Sequence, residues 1–283
     1  MGGLEVVPVA EAGAEVLERR RRWRPRALPP AAVTASPRLE LAIALRYLAG
    51  IGFSENIAGH ITVRADDDTL WANPWGLWWE EVTADDIVRV DLDGRVVEGR
   101  WDVTPAIFIH TEIHRRRPDV AAVVHNHPYA ATVLAASATL PEPWHQTGSL
   151  FVDDLVLVDE YDGEIDTAEL GAALADRIGA ANAALLANHG VVCCGASLGQ
   201  AVYRSASLER MCRLDVDVRA VGRPARPVPV EVQRAMQSSL LGRGVEVFWA
   251  GVTRQMMAEW PALAGAAPTA RGHVDQEADG ADA

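Results

Sequence analysis

The chain has 283 residues, and all 26 of its basic residues are arginine, which excludes chemistry that needs a lysine amine: Schiff-base aldolases, pyridoxal-phosphate enzymes and Walker-type phosphate loops. The formal charge of −13 argues against nucleic acid as a partner, and three cysteines, two of them adjacent, make neither a disulfide framework nor a CxxC metal site, so a reducing cytoplasm is the expected compartment. Hydrophobic content of 49% is that of a chain with a full core, yet no apolar run reaches the roughly 20 residues of a membrane span.

In chain order, residues 1–34 read as a flexible basic arm. Its run Arg19-Arg20-Arg21-Arg22-Trp23-Arg24-Pro25-Arg26 is followed by a short, proline-broken stretch rather than the apolar core of a signal. Ser36-Pro37 is an N-cap with proline at the first helical position, and Leu39 to Leu48 continue a helix that Gly50 ends. Ile61–Arg64 and Leu70–Asn73 read as β, and Asp93-Gly94 is a hairpin signal between Ile87–Leu92 and Arg95–Val97. Thr104-Pro105 opens a second helix that runs to about Arg116. Val120–His125 is a buried strand, and Pro128–Ala136 is helical.

Leu155–Val158 is a short strand, Thr167–Ile178 an amphipathic helix, and Ala183–Ala187 a second buried strand that leads through Asn188-His189-Gly190 into Val191–Cys194. Ser197 starts a long helix to about Val218, and two further helices fall around Glu231–Leu241 and Val245–Glu259. The order predicts one α/β domain over residues 35–262, with a central mixed sheet covered by helices, and a disordered acidic tail over 263–283.

The chemistry lies in the histidines. His125-Asn126-His127 closes one strand, where positions i and i+2 face the same way, so two imidazoles can reach one ion. HxH alone also fits two hydrogen-bonded histidines at a strand end. His189 after a second apolar strand tips the reading to a metal site with open positions. His110 and His114 share a face of the second helix. His114 is expected in solvent beside Arg115–Arg117, whereas His110 sits in apolar sequence. His60 begins a strand after a glycine, His145 lies in a loop and His273 in the tail.

Taken together, these segments resemble the class II aldolase/adducin family. The matching pieces are Arg117-Pro118-Asp119 leading into His125-Asn126-His127-Pro128, then Ala184–Val191 around His189, then Gly195–Ala201. Ile57–Arg64 and Asn73-Pro74-Trp75-Gly76-Leu77 extend the likeness, which covers about residues 37–220. The resemblance implies a three-layer α/β/α fold, one divalent metal per subunit on His125, His127 and His189, and homotetramers with sites at subunit interfaces. Three imidazoles accept Zn, Mn, Fe or Co, with Zn or Mn favoured.

The departures from the family pattern are also informative. The turn that holds phosphate in sugar-phosphate aldolases reads Asn73-Pro74-Trp75-Gly76 here, without hydroxyls. The family's acid/base Glu falls at Ala106, and Glu112 is one and a half turns further on. The expected activity is therefore a metal-dependent carbon–carbon lyase, aldolase or decarboxylase, acting on a non-phosphorylated hydroxy or keto carboxylate. With no carboxylate at Ala106, His60 and His110 are the proton-transfer candidates, and Tyr129 or Tyr203 are less supported. Trp71, Trp75, Trp78 and Trp79 either pack in core or interface or make a flat apolar wall for an aromatic substrate. An iron-dependent oxygenase of the same fold and a non-catalytic adducin-like interaction domain are the alternatives.

Overall fold

Helix α1 (Pro37–Gly50) starts where its capping residues place it: the Ser36 hydroxyl accepts from the Leu39 N–H at 3.3 Å, and Pro37 needs no donor partner in the first turn. The computed structural model describes residues 27–264 apart from 33, 35 and 162, together with 14 and 18. The run Arg19–Arg26 and residues 265–283, and with them His273 and nearly all of the expected acidic tail, lie outside the described residues.

The strands are β1 (His60–Arg64), β2 (Thr69–Ala72), β3 (Val88–Asp91), β4 (Val96–Glu98), β5 (Ala122–Asn126), β6 (Leu155–Val158), β7 (Ala183–Leu186) and β8 (Val191–Gly195). They form one sheet in the order β4-β3-β2-β1-β5-β8-β7-β6. Every neighbouring pair is antiparallel except β6 and β7, which are parallel and joined by the crossover helix α4 (Ala168–Ile178). The β3–β4 hairpin turns at Asp93-Gly94, with Gly94 at φ +81°.

Helices cover both faces. On one face Val123, Leu186, Val192 and Cys194 pack against Ile109 and Ile113 of α2 (Phe108–Arg116) and against Leu174 and Ile178 of α4. On the other face Ile61, Ala122 and Val124 meet Leu41, Leu45 and Leu48 of α1 and Ala201 of α5 (Leu198–Val221). Further along that face, Leu185 and Cys193 pack on α3 (Tyr129–Ala136) and on Leu208 of α5. Because side chains alternate along each strand, β5 sends Val123 to the first face and Ala122 and Val124 to the second. The three-layer α/β/α arrangement matches the expectation.

Two local differences from the sequence reading have physical causes. The segment from Thr104 opens as a 3-10 turn (Pro105–Ile107), in which Ala106 departs from helical geometry at ψ 17°, and the α-helix begins only at Phe108. The last two helices, α6 (Val230–Ser239) and α7 (Val245–Glu259), join through a π-turn at Leu240–Gly244, which accommodates the extra residue without breaking the chain of turns.

The end of the expected arm lies along α7, where Arg254 donates to the carbonyls of Pro29 (3.1 Å) and Pro30 (2.6 Å) and the Ala32 N–H donates to Thr253. Leu263, beyond the expected boundary at 262, is buried against α1.

Candidate metal centre

The end of β5 is the centre of the site. His125 and His127 stand two positions apart, and β1 lies alongside with His60 directly opposite His125. His189 arrives from the β7–β8 turn. The Leu186 N–H donates to Gly190 O (2.8 Å), the His189 N–H donates to Leu186 O (3.0 Å), and Asn188 takes the left-handed conformation at φ +55°. This turn presses on β5: a β-carbon at Gly190 would lie 2.5 Å from Asn126 O and 2.5 Å from His127 Cδ2. Only glycine allows that approach, and the approach carries His189 over the HxH pair.

The rings of His125, His127 and His189 lie 4.7–5.1 Å apart between centroids, and one ligand nitrogen from each falls within 4.8 Å of the others. Two of the three rings have their outer nitrogen already engaged. His125 Nδ1 lies 3.0 Å from Val191 O, and His127 Nδ1 lies 2.6 Å from Glu55 Oε2. A carbonyl and a carboxylate behind two imidazoles are the supports that orient metal-binding histidines and leave Nε2 to face the ion.

The inward nitrogen of His127, Nε2, is buried and has no hydrogen-bond partner among the described residues. A buried imidazole nitrogen without a partner is costly unless something fills its place, and a divalent cation does so. Burial, with the neighbouring imidazoles next, holds His125 well below the ordinary histidine range, and burial with His127 lowers His189 to about 4. Both rings are therefore neutral at neutral pH, the form that coordinates a metal. The residues present fit a divalent ion on His125, His127 and His189.

A second histidine group lies directly behind. His60 Nδ1 is 2.7 Å from His110 Nε2, His110 Nδ1 is 2.8 Å from Thr62 Oγ1, and Thr62 Oγ1 is 2.9 Å from His114 Nε2. His114 was expected in solvent, but it is only 1% exposed. Its i, i+4 relation to His110 turns it toward the sheet, while Arg115 and Arg116 take the outer face. Burial is the main cause that lowers His60 to about 3, His114 to about 3 and His110 well below the usual value.

These groups border a cleft of about 380 Å³. His60 lines it beside His125, His127 and His189, whereas His110 sits fully buried behind His60. Ala106 also lines the cleft, so the wall facing the histidines carries a methyl group there. Glu112 points away: it is buried and paired with Arg115 and Arg116. Tyr129 is 77% exposed, and Tyr203 packs on Phe248; neither lines the cleft. His145 caps a 3-10 turn elsewhere, accepting from the Thr147 N–H.

The tryptophan cluster divides. Trp79 is core, with its indole N–H on Gly59 O at 3.1 Å. Trp71 is partly buried between the guanidinium groups of Arg38 and Arg89. Trp75 is half-exposed on the cleft rim, and Trp78 is half-exposed but not on the cleft.

Sequence reasoning missed three site residues. Glu55 supports His127 from a loop with no local motif. Tyr161 and Glu164 reach the cleft from the loop between β6 and α4, Tyr161 with its ring 6.4 Å from that of His189. Their one signal is an acidic, glycine-containing loop at the carboxyl end of a strand, next to the parallel pair.

Comparison with known proteins agrees with this architecture. Residues 39–216 match the family described as Class II Aldolase and Adducin N-terminal domain. The chain is 37% identical to a 4-hydroxy-3-prenylphenylpyruvate oxygenase/4-hydroxy-3-prenylbenzoate synthase of Streptomyces roseochromogenus subsp. oscitans, over 71% of this chain and 76% of that protein. It is 30% identical to a 3,4-dihydroxyphthalate decarboxylase of Arthrobacter keyseri, over 69% and 84%. An L-fuculose 1-phosphate aldolase from Glaciozyma antarctica PI12 shares the fold with a TM-score of 0.70 at 22% identity, covering 89% of this chain and 98% of that one. With its matched segment spanning most of the sheet and the histidine cleft, the chain belongs to the class II aldolase and adducin family, a family that includes decarboxylases among its relatives.

Proposed function

We propose that this protein is a divalent-metal-dependent carbon–carbon lyase, an aldolase or decarboxylase, acting on a non-phosphorylated hydroxy or keto carboxylate. The observation that carries the reading is the triad of His125, His127 and His189 at the end of an open cleft, with the His127 Nε2 buried and unpartnered. Zinc or manganese is the favoured ion, with iron and cobalt compatible. When bound there, such an ion supplies a Lewis acid that stabilises negative charge on a substrate oxygen as the carbon–carbon bond breaks.

The chain's own residues divide the remaining work. His60 presents its Nε2 edge to the cleft and handles the proton, since its Nδ1 is taken by His110. His110 has no access to the cleft and acts through His60. Trp75 and Tyr161 supply aromatic surface for a flat substrate. A phosphate cradle at residues 73–76 is disfavoured because its groups are already used: Asn73 Oδ1 accepts from the Ile61 N–H (2.7 Å) and the Trp75 N–H donates to Asp102 O (2.9 Å).

The largely exposed Tyr129, two residues after His127, and half-exposed Trp75 and Trp78 are apolar surface of the kind a neighbouring subunit covers, which supports a homotetramer with sites at its interfaces. Three free cysteines support a reducing cytoplasm, and no described helix is long and apolar enough to cross a membrane.

The similarity to a named oxygenase favours one second reading, an iron-dependent oxygenase at the same three histidines. A non-catalytic adducin-like interaction domain is the remaining alternative. Anaerobic incubation of the metal-loaded protein with a panel of hydroxy-carboxylates, reading CO2 and aldehyde, separates them. The lyase reading expects product without dioxygen. Turnover only with iron and dioxygen would replace it with the oxygenase, and histidine variants that leave all behaviour unchanged would leave the scaffold.

A further inference from the structure

The buried chain His60–His110–Thr62–His114 ends on a backbone carbonyl, and that end dictates where every proton in the chain sits. His114 Nδ1 lies 3.3 Å from Val120 O. A carbonyl oxygen only accepts, so His114 carries its proton on Nδ1 and leaves Nε2 as an acceptor. Thr62 must then donate its hydroxyl proton to His114 Nε2, and its oxygen accepts from His110 Nδ1–H. That places His110 Nε2 as an acceptor, filled by His60 Nδ1–H at 2.7 Å. His110 and His114 are fully buried, so each is neutral with one proton to place, and the acceptor at His110 Nε2 sets the His60 proton on Nδ1.

We infer that Thr62 and His114 are positioning residues that lock His60 in the tautomer with its proton on Nδ1 and a bare Nε2 facing the cleft. This rests on the reading of His60 as the group that handles the proton. Arg64 Nη2 approaches His114 Nδ1 at 3.4 Å and would favour the opposite polarity, but it donates to the His114 carbonyl at 2.7 Å. Reversing the chain would set the Nδ1 lone pair of His114 against the Val120 carbonyl. His60 therefore begins the reaction as a base. The substrate O–H bond breaks, its electron pair stays on oxygen, and the proton forms an N–H bond at His60 Nε2. Breaking that N–H bond later returns the same proton to the carbon left by cleavage; in aldol cleavage the deprotonated oxygen leaves as a carbonyl, and in decarboxylation of a hydroxy acid it leaves as an oxyanion that takes a proton from water. His110 accepts from the charged His60 throughout.

Neutron diffraction on deuterium-exchanged crystals of the purified protein reads the polarity directly. The expected result is deuterons on Nδ1 of His60, His110 and His114 and none on Nε2 of these rings; a deuteron on His60 Nε2 overturns the inference. This measurement holds even if no panel substrate turns over, so it fails or stands apart from the lyase reading. Thr62→Val keeps shape and strand propensity while removing the hydroxyl. With histidine-labelled protein, ¹⁵N spectra of Thr62→Val should show His60 as a mixture of tautomers, and Thr62→Ser should restore the single one. On a turned-over substrate, Thr62→Val should lower kcat by about tenfold or more with KM nearly unchanged, and Thr62→Ser should recover most of it. A single wild-type tautomer and wild-type kcat in Thr62→Val would also refute the positioning role.

Discussion

Replacing Gly190 with alanine tests the packing that brings His189 to the other two histidines. The added methyl would meet Asn126 O and His127 Cδ2 at 2.5 Å, roughly an ångström inside ordinary contact. Asn126 lies on β5, flanked by β1 and β8, so that backbone cannot yield; the turn must lift or His127 must rotate. Gly190 is not among the glycines with positive φ, so alanine meets no conformational strain there. It even recovers about 0.4–1 kcal/mol by restricting the unfolded chain. Overpacking costs about 1–3 kcal/mol, so the middle of the two ranges leaves a net loss of about 1.3 kcal/mol.

At this chain length that loss lowers Tm by roughly 2–6 °C. Lifting the turn also spreads the three ligand nitrogens, so affinity for zinc should fall by at least about tenfold, the equivalent of about 1.4 kcal/mol. Urea denaturation in the presence of a chelator reads the first effect, and calorimetric zinc titration the second. A variant as stable as wild type that binds zinc with unchanged affinity would refute the close approach.

Acid sensitivity follows from the buried histidines. His114 is lowered to about 3 from an unfolded value near 6.5, so below that value the unfolded chain binds a proton that the folded chain does not. Its contribution is whole above pH 6.5 and is lost as pH falls toward 3, by about 1.4 kcal/mol per pH unit. His114→Gln should lose about 1 kcal/mol less stability than wild type between pH 7.5 and 5.5 in urea denaturation; an equal loss would contradict a neutral buried ring. The tryptophans should separate cleanly. Trp79→Ala should cost about 3–5 kcal/mol, whereas Trp75→Ala should change stability by about 0.5 kcal/mol at most and raise KM for a flat substrate. Matching losses in denaturation would contradict the division of core from cleft rim.

Much of this was legible along the chain because the signals are local. Ser36-Pro37, Asp93-Gly94 and the apolar run before His125 each specify an element from neighbouring residues alone. The three-histidine cluster was legible because His125 and His127 share one strand face and His189 follows an equally plain strand. What escaped depends on contacts between distant segments. His114 sits among arginines in sequence, and only the pairing of β1 with β5 sets Thr62 beneath it. Glu55 meets His127 across 72 residues of chain. Tyr161 and Glu164 come from a loop whose destination depends on the parallel crossover through α4. The departure at Ala106 was readable as a missing carboxylate, but the hydrogen-bonded chain behind His60 needed coordinates.

The most direct test of the account is the metal content of the purified protein, measured by mass spectrometry beside His127→Ala, His189→Ala and His145→Ala. About one divalent ion per subunit is expected in wild type and in His145→Ala, which lies away from the cleft, with loss of that ion in both other variants. Wild type without stoichiometric metal, or full occupancy after removal of His127 or His189, would contradict it.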